Sequence, residues 1–134
     1  MIIDFPWHFV PSSCPAGPAA VNEPAWPSMK TSAIGAEMYV GDKLFRDFED
    51  FYWDIPGRIA VMDEAGVDIQ VISPLPELLS YWLDPKASGI LTDFMNDYGA
   101  QMVAAGKGRL RGFGIVAPNN MPKALGQGGG VKKT

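Results

Sequence analysis

The sequence predicts an α/β fold of three parallel strands, two helices and one long early loop. Three observations carry it: an apolar run at the N-terminus, two later stretches in which a capped helical segment leads into a strand-like run, and a Pro-, Gly- and Ser-rich stretch between the first strand and the first helix. Strand, helix and strand in alternation is the pattern of parallel strands joined by right-handed crossovers. No internal repeat is visible.

The first strand covers Met1 to Phe5, a short apolar run interrupted by Asp4 and followed by Pro6, which would stop a central strand. From Phe9 to about Phe51 no period is sustained, and a connection of this length points to a functional excursion. Within it, Ala36 to Val40 could form a short strand. After Trp53 a helix has both ends written in. Asp54 is placed to cap it, Pro56 suits its first turn, and Gly66 suits a left-handed stop. Ile55, Ile59 and Met62 make its apolar stripe, and Arg58, lying inside it, reads as structural. Val67 to Ile72 follows as the second strand, rich in β-branched residues.

A second helix is predicted from Asp84-Pro85 to about Ala105. Its apolar face is Ala87, Ile90, Leu91, Phe94, Tyr98 and Met102, and Gly106 ends it. Gly89 and Gly99 inside it cost about 1 kcal/mol each relative to alanine. Leu110 to Val116 is the third strand. After Pro118 the signal fades, so residues 1–125 are expected to form one incomplete domain and 126–134 a flexible Gly- and Lys-rich tail.

At 134 residues, 47% hydrophobic and 19% charged, the chain has the apolar surface for one modest core. The net charge of −4 would repel phosphate backbones. The one basic group, Lys107, Arg109 and Arg111, reads as a solvated helix-to-strand junction, so no nucleic-acid partner is expected. Cys14 is the sole cysteine, which excludes an intramolecular disulfide and a thiolate metal cluster. Met1 to Val10 has no basic leader and is broken by Asp4 and Pro6, and no apolar run approaches the roughly 20 residues of a spanning helix. A cytoplasmic protein without a membrane partner is the expectation. P-loop, dinucleotide-binding and nucleophile-elbow patterns are absent.

The sharpest local feature is the run Ile3-Asp4-Phe5-Pro6-Trp7-His8-Phe9-Val10-Pro11. Further stretches follow in order: Phe45-Arg46, Trp53 to Arg58, Met62 to Val71, Tyr81-Trp82, Met95-Asn96-Asp97, Arg111-Gly112-Phe113 and Val116-Ala117-Pro118. Together, from Met1 to about Leu125, they resemble the amidohydrolase-related decarboxylases, most nearly the aminocarboxymuconate-semialdehyde decarboxylase-like subgroup.

The resemblance implies a partial TIM-type (β/α)8 barrel, of which this chain holds roughly the first three strands. It also implies a divalent metal, zinc foremost, and nonoxidative decarboxylation, or in related members hydrolysis, of a small carboxylate-bearing substrate. Such a site takes two histidines as His-x-His on its first strand, a histidine on a middle strand and an aspartate on the last. Only His8 carries over, because Pro6 stands where the first histidine would be and has no donor to offer. His8 is therefore either one metal ligand or a polar residue at a strand end. Asp4, on the same side of a regular strand, could orient it.

Arg46 stands where these decarboxylases grip a substrate carboxylate, a task that suits a guanidinium fork. The alternative is a surface arginine paired with Asp47, Glu49 or Asp50. Trp82, with Trp7 and Tyr81, would line a pocket for a flat acid or serve in packing. Alone, the chain is expected to lack catalysis and to bind metal weakly. The competing expectation is a noncatalytic module that pairs, with itself among others, through an open sheet edge.

Overall fold

The computed structural model describes residues 1–17, 23–78 and 81–129. The elements run β1 (Ile3–Phe9), β2 (Pro27–Ser32), β3 (Gly35–Val40), β4 (Lys43–Phe48), α1 (Ile55–Ala65), β5 (Ile69–Pro74), α2 (Pro85–Ala105), β6 (Leu110–Gly112) and α3 (Met121–Gly129), with short 3₁₀ turns at Asp50–Tyr52 and Pro76–Leu78. They form two sheets, a parallel one in the order β1-β5-β6 and an antiparallel one in the order β2-β3-β4. The architecture is α/β, and its parallel sheet is compatible with part of a barrel.

The first strand is longer than the sequence suggests, running through Pro6 to Phe9. Because β1 lies at the edge of its sheet, the missing N–H of Pro6 breaks no central ladder. The pairing with β5 slips between Asp4 and Trp7, so strict alternation along β1 is lost there. The predicted long loop is largely an antiparallel meander, of which only the β3 part was foreseen. Ala33-Ile34 and Gly41-Asp42 turn the chain between its strands, and Gly41 takes the left-handed φ of 60° that the second turn requires. Ala36, Met38 and Phe48 of this meander are buried.

Both helices start and stop where their caps place them. The Asp54 carboxylate accepts from the Gly57 N–H at 3.0 Å, and Gly66 closes α1 with φ 69°. Asp84 accepts from the Lys86 N–H at 2.9 Å to open α2. Gly99 is needed for contact rather than for a turn, since a Cβ there would lie 2.9 Å from the ring of Phe9. The buried face of α2 is Ala87, Leu91, Met95 and Met102, with Phe94 and Tyr98 half-buried. Ile90, predicted on that face, is exposed, and Met95, not predicted, is wholly buried.

The core joins these helices to one face of the parallel sheet, through Phe9, Met62, Ile72, Leu91, Met95 and Leu110. Beyond β6 the predicted third strand stops early: only Leu110–Gly112 pairs with β5, and the Ile115 backbone instead exchanges two bonds with the Asn96 side chain of α2, its N–H donating at 2.8 Å and its carbonyl accepting at 2.9 Å. The sequence predicts no element after Pro118. Here α3 forms, opened by Asn120, held to α2 by an ion pair between Lys123 and Asp93, and reaching Gly129. Residues 130–134 of the expected tail lie outside those described. No helix is long and apolar enough to cross a membrane among the described residues.

The difference between Leu91 and Ile90 is measurable. Leu91→Ala should lower the unfolding free energy by about 2–5 kcal/mol, whereas Ile90→Ala should cost no more than about 1 kcal/mol, as read from urea denaturation.

Candidate functional site

Side chains of β5 alternate between two environments. Gln70, Ile72 and Pro74 are buried beneath the helices, while Ile69, Val71 and Ser73 face the other way and are half-buried. Register places His8 opposite Ser73, and the His8 Nδ1 lies 3.1 Å from the Ser73 Oγ. This hydrogen bond occupies one ring nitrogen of His8. Ser73 was not singled out in the sequence, where Ser73-Pro74 marks only a strand end.

Asp4 does not orient His8, contrary to what a regular strand would allow. Asp4 pairs in register with Gln70, and the slip beyond it brings Trp7 to the side of Ile72 and His8 to the side of Ser73, so that the Asp4 carboxylate accepts from the Trp7 indole N–H and, at 3.3 Å, from the Gln70 amide. Gln70 in turn accepts from Arg58 Nη1 at 2.7 Å. The other arm of Arg58 donates to the His8 carbonyl at 3.2 Å and to the Tyr52 carbonyl at 3.5 Å. Arg58 is only 3% exposed and lies 5.9 Å from the Trp7 ring centroid. Burial pulls its guanidinium below the usual arginine range. As the sequence suggested, Arg58 is structural: it ties α1 to β1 and β5 directly behind His8.

Arg46 lies exposed on β4, its guanidinium 5.8 Å from the ring of neighbouring Phe45. Among the described residues it makes no ion pair, so the alternative pairing with Asp47, Glu49 or Asp50 is not formed. Phe45 and Trp82 line one open cleft of about 580 Å³ together with Val40, Lys43, Leu44 and Glu77. Arg46 is not among the residues lining this cleft, and its neighbour there is Phe45. Lys43 adds a second cation that sequence reading passed over; its nearness to Phe45-Arg46 was the available signal. Trp7 belongs elsewhere, lining a smaller cavity of about 260 Å³ with Glu49, Arg58, Val61 and Gln70. Tyr81 is exposed and is not among the residues lining the Trp82 cleft.

The donor set does not fit a metal centre of the kind the resemblance implies. Among the described residues no three His, Cys, Asp or Glu side chains come together, and zinc ordinarily takes at least three protein ligands. His8 contributes one imidazole, and Pro6 contributes nothing. The basic residues near β6 are employed structurally: Arg109 pairs with Asp63 at 2.7 Å and donates to the Val67 and Asp68 carbonyls.

Cys14 is no nucleophile at neutral pH, because burial pushes its thiol from an ordinary 9.0 up to about 12. Between these values the unfolded chain releases the proton while the folded chain retains it, so stability should fall as pH rises above 9.0. The slope should be at most about 1.4 kcal/mol per pH unit. Cys14→Ala should remove that slope, as judged by comparing urea midpoints of the two proteins at mildly and strongly alkaline pH.

No family model matches the chain. Two curated proteins do. The chain is 31% identical over 115 residues to a 2-amino-3-carboxymuconate-6-semialdehyde decarboxylase of Dictyostelium discoideum, a match covering 85% of this chain and 32% of that protein. It is 30% identical over 124 residues to a protein of the same name from Caenorhabditis elegans, covering 92% of this chain and 31% of that one. The chain spans about a third of the length of these relatives. Over the region they share, these likenesses support a relationship to the aminocarboxymuconate-semialdehyde decarboxylase-like group of the amidohydrolase family.

Proposed function

We propose that the chain carries the substrate-gripping part of a nonoxidative decarboxylase, or a related hydrolase, that acts on small carboxylic acids. The observation that supports this reading is the cleft lined by Lys43, Phe45 and Trp82, with the Arg46 guanidinium 5.8 Å from the Phe45 ring. A planar acid can stack on the aromatic rings while a guanidinium and an ammonium take its carboxylates. The names of the two relatives support a carboxylate substrate.

In this reading the chain does not catalyse alone. Decarboxylation needs a group that accepts the electron pair left by departing carbon dioxide, and His8, bonded to Ser73, is a single imidazole without companion ligands. Zinc belongs to the intact family's chemistry, with His8 as the one ligand this chain would bring. Purified protein should therefore take up no stoichiometric zinc at micromolar concentration in equilibrium dialysis and release no carbon dioxide from unsaturated or aromatic acids. Stoichiometric zinc uptake together with carbon dioxide release would overturn this part of the reading.

Binding separates from turnover. A planar aromatic dicarboxylate should quench tryptophan fluorescence, and Arg46→Ala and Trp82→Ala should each weaken its binding at least about tenfold. Equal binding by wild type and both variants would refute the carboxylate site.

A second reading is favoured by the sheet edges. The outer edge of β6 has no partner strand among the described residues, while the outer edge of β1 is blunted by Pro6 and a slip in register. A noncatalytic module could pair with another chain, a second copy included, through β6.

A further inference from the structure

The cleft beside Phe45 holds an acidic group that a carboxylate grip does not use. Glu77 lines it together with Lys43, Phe45 and Trp82. The two charged residues come from different parts of the fold: Lys43 opens β4 of the antiparallel sheet, and Glu77 sits in the 3₁₀ turn Pro76–Leu78, just past the end of β5. That turn is pinned on both sides of Glu77. Leu75 and Leu78 are buried, the Leu75 N–H donates to the Phe9 carbonyl at 3.1 Å, and the Leu78 N–H donates to the Leu75 carbonyl at 2.8 Å. Opposite charges lining one cleft would ordinarily neutralise each other. Among the described residues neither Lys43 nor Glu77 takes part in an ion pair. The Glu77 carboxylate is also short of donors, since its Oε2 is withdrawn from solvent and accepts no hydrogen bond among the described residues.

A carboxylate held partly out of water without donors is costly, and a cation brought beside it offsets that cost, whereas an anion adds to it. Aromatic rings act in the same direction, because their faces attract an ammonium group. We propose that Glu77 makes this cleft selective for acids that also bear a protonated amine. The ammonium is taken at Glu77, and the carboxylates go to Lys43 and Arg46 on the other side. This inference rests on the carboxylate site proposed above and adds the second kind of charge that its ligand carries. Glu77 is then a specificity residue: it meets the amine substituent and contributes nothing to holding an acid that lacks one.

The test titrates the tryptophan fluorescence of the full chain with two isophthalates that differ at the ring carbon meta to both carboxylates, one bearing a methyl group and the other an aminomethyl group. The aminomethyl ligand should bind at least about tenfold more tightly than the methyl ligand. Glu77→Gln keeps the shape of the side chain and removes its charge. It should bring the two ligands to equal affinity, leave the methyl ligand bound as in the wild type, and leave the circular dichroism spectrum unchanged. Equal binding of both ligands by the wild type, with the methyl ligand still dependent on Arg46, would overturn the role of Glu77 and leave the carboxylate site standing. A preference that survives Glu77→Gln, or loss of both ligands in that variant, would overturn it too. If neither ligand bound the wild type, the carboxylate site itself would fall and this proposal with it.

Discussion

β5 hydrogen-bonds to β1 on one side and to β6 on the other, and its side chains alternate between a buried face and an open one. That alternation sorts the residues of interest. Gln70 falls on the buried side, where it links Arg58 to Asp4; Ser73 falls on the open side, where it meets His8. A shift of one residue along β5 would exchange the two sets and put an amide in solvent and a hydroxyl in the core.

The buried guanidinium of Arg58 shows what that arrangement has to satisfy. Removing a cation from water costs several kcal/mol, and among the described residues Arg58 has no carboxylate in direct contact. The cost is offset by charge-assisted hydrogen bonds to neutral oxygens, each contributing about 1.5–3 kcal/mol, and by the Asp4 charge relayed through Gln70. One bond ends on the His8 carbonyl, so the packing of α1 also fixes the backbone that carries the imidazole. Arg46 has no such anchorage. It lies on the separate antiparallel sheet, exposed and held only beside Phe45.

Helix ends were the most legible features, because Asp54, Gly66, Asp84 and Pro85 act through local backbone geometry that a single sequence displays. The meander was less legible. Its strands interleave lysine, glutamate, threonine and serine with apolar residues irregularly, and a sheet buried only at Pro27, Gly35, Ala36, Met38 and Phe48 among its strand residues leaves little alternation to detect. Strand one was cut short at Pro6 because edge position, which makes proline tolerable, is a property of the assembled sheet. For the candidate site, resemblance pointed to His8, Arg46 and Trp82. Ser73 and Lys43 emerged only from spatial neighbours, and the part assigned to Asp4 failed because the slip beyond Asp4 set His8 against Ser73 while Asp4 stayed beside Gln70.

The two sheets also differ in how their chain ends must find each other. In the meander, Ser32 meets Gly35 and Val40 meets Lys43, so each hairpin closes across a tight turn. In the parallel sheet, His8 meets Ser73 from 65 residues away. Closing the larger loop costs roughly 2–3 kcal/mol more in chain entropy before any contact repays it. Hairpins form in microseconds, while non-local pairings are slower. The Arg46-bearing sheet can therefore take shape while β1 is still searching for β5, so that the two hairpins precede the pairing of the strand bearing His8 in the order of folding.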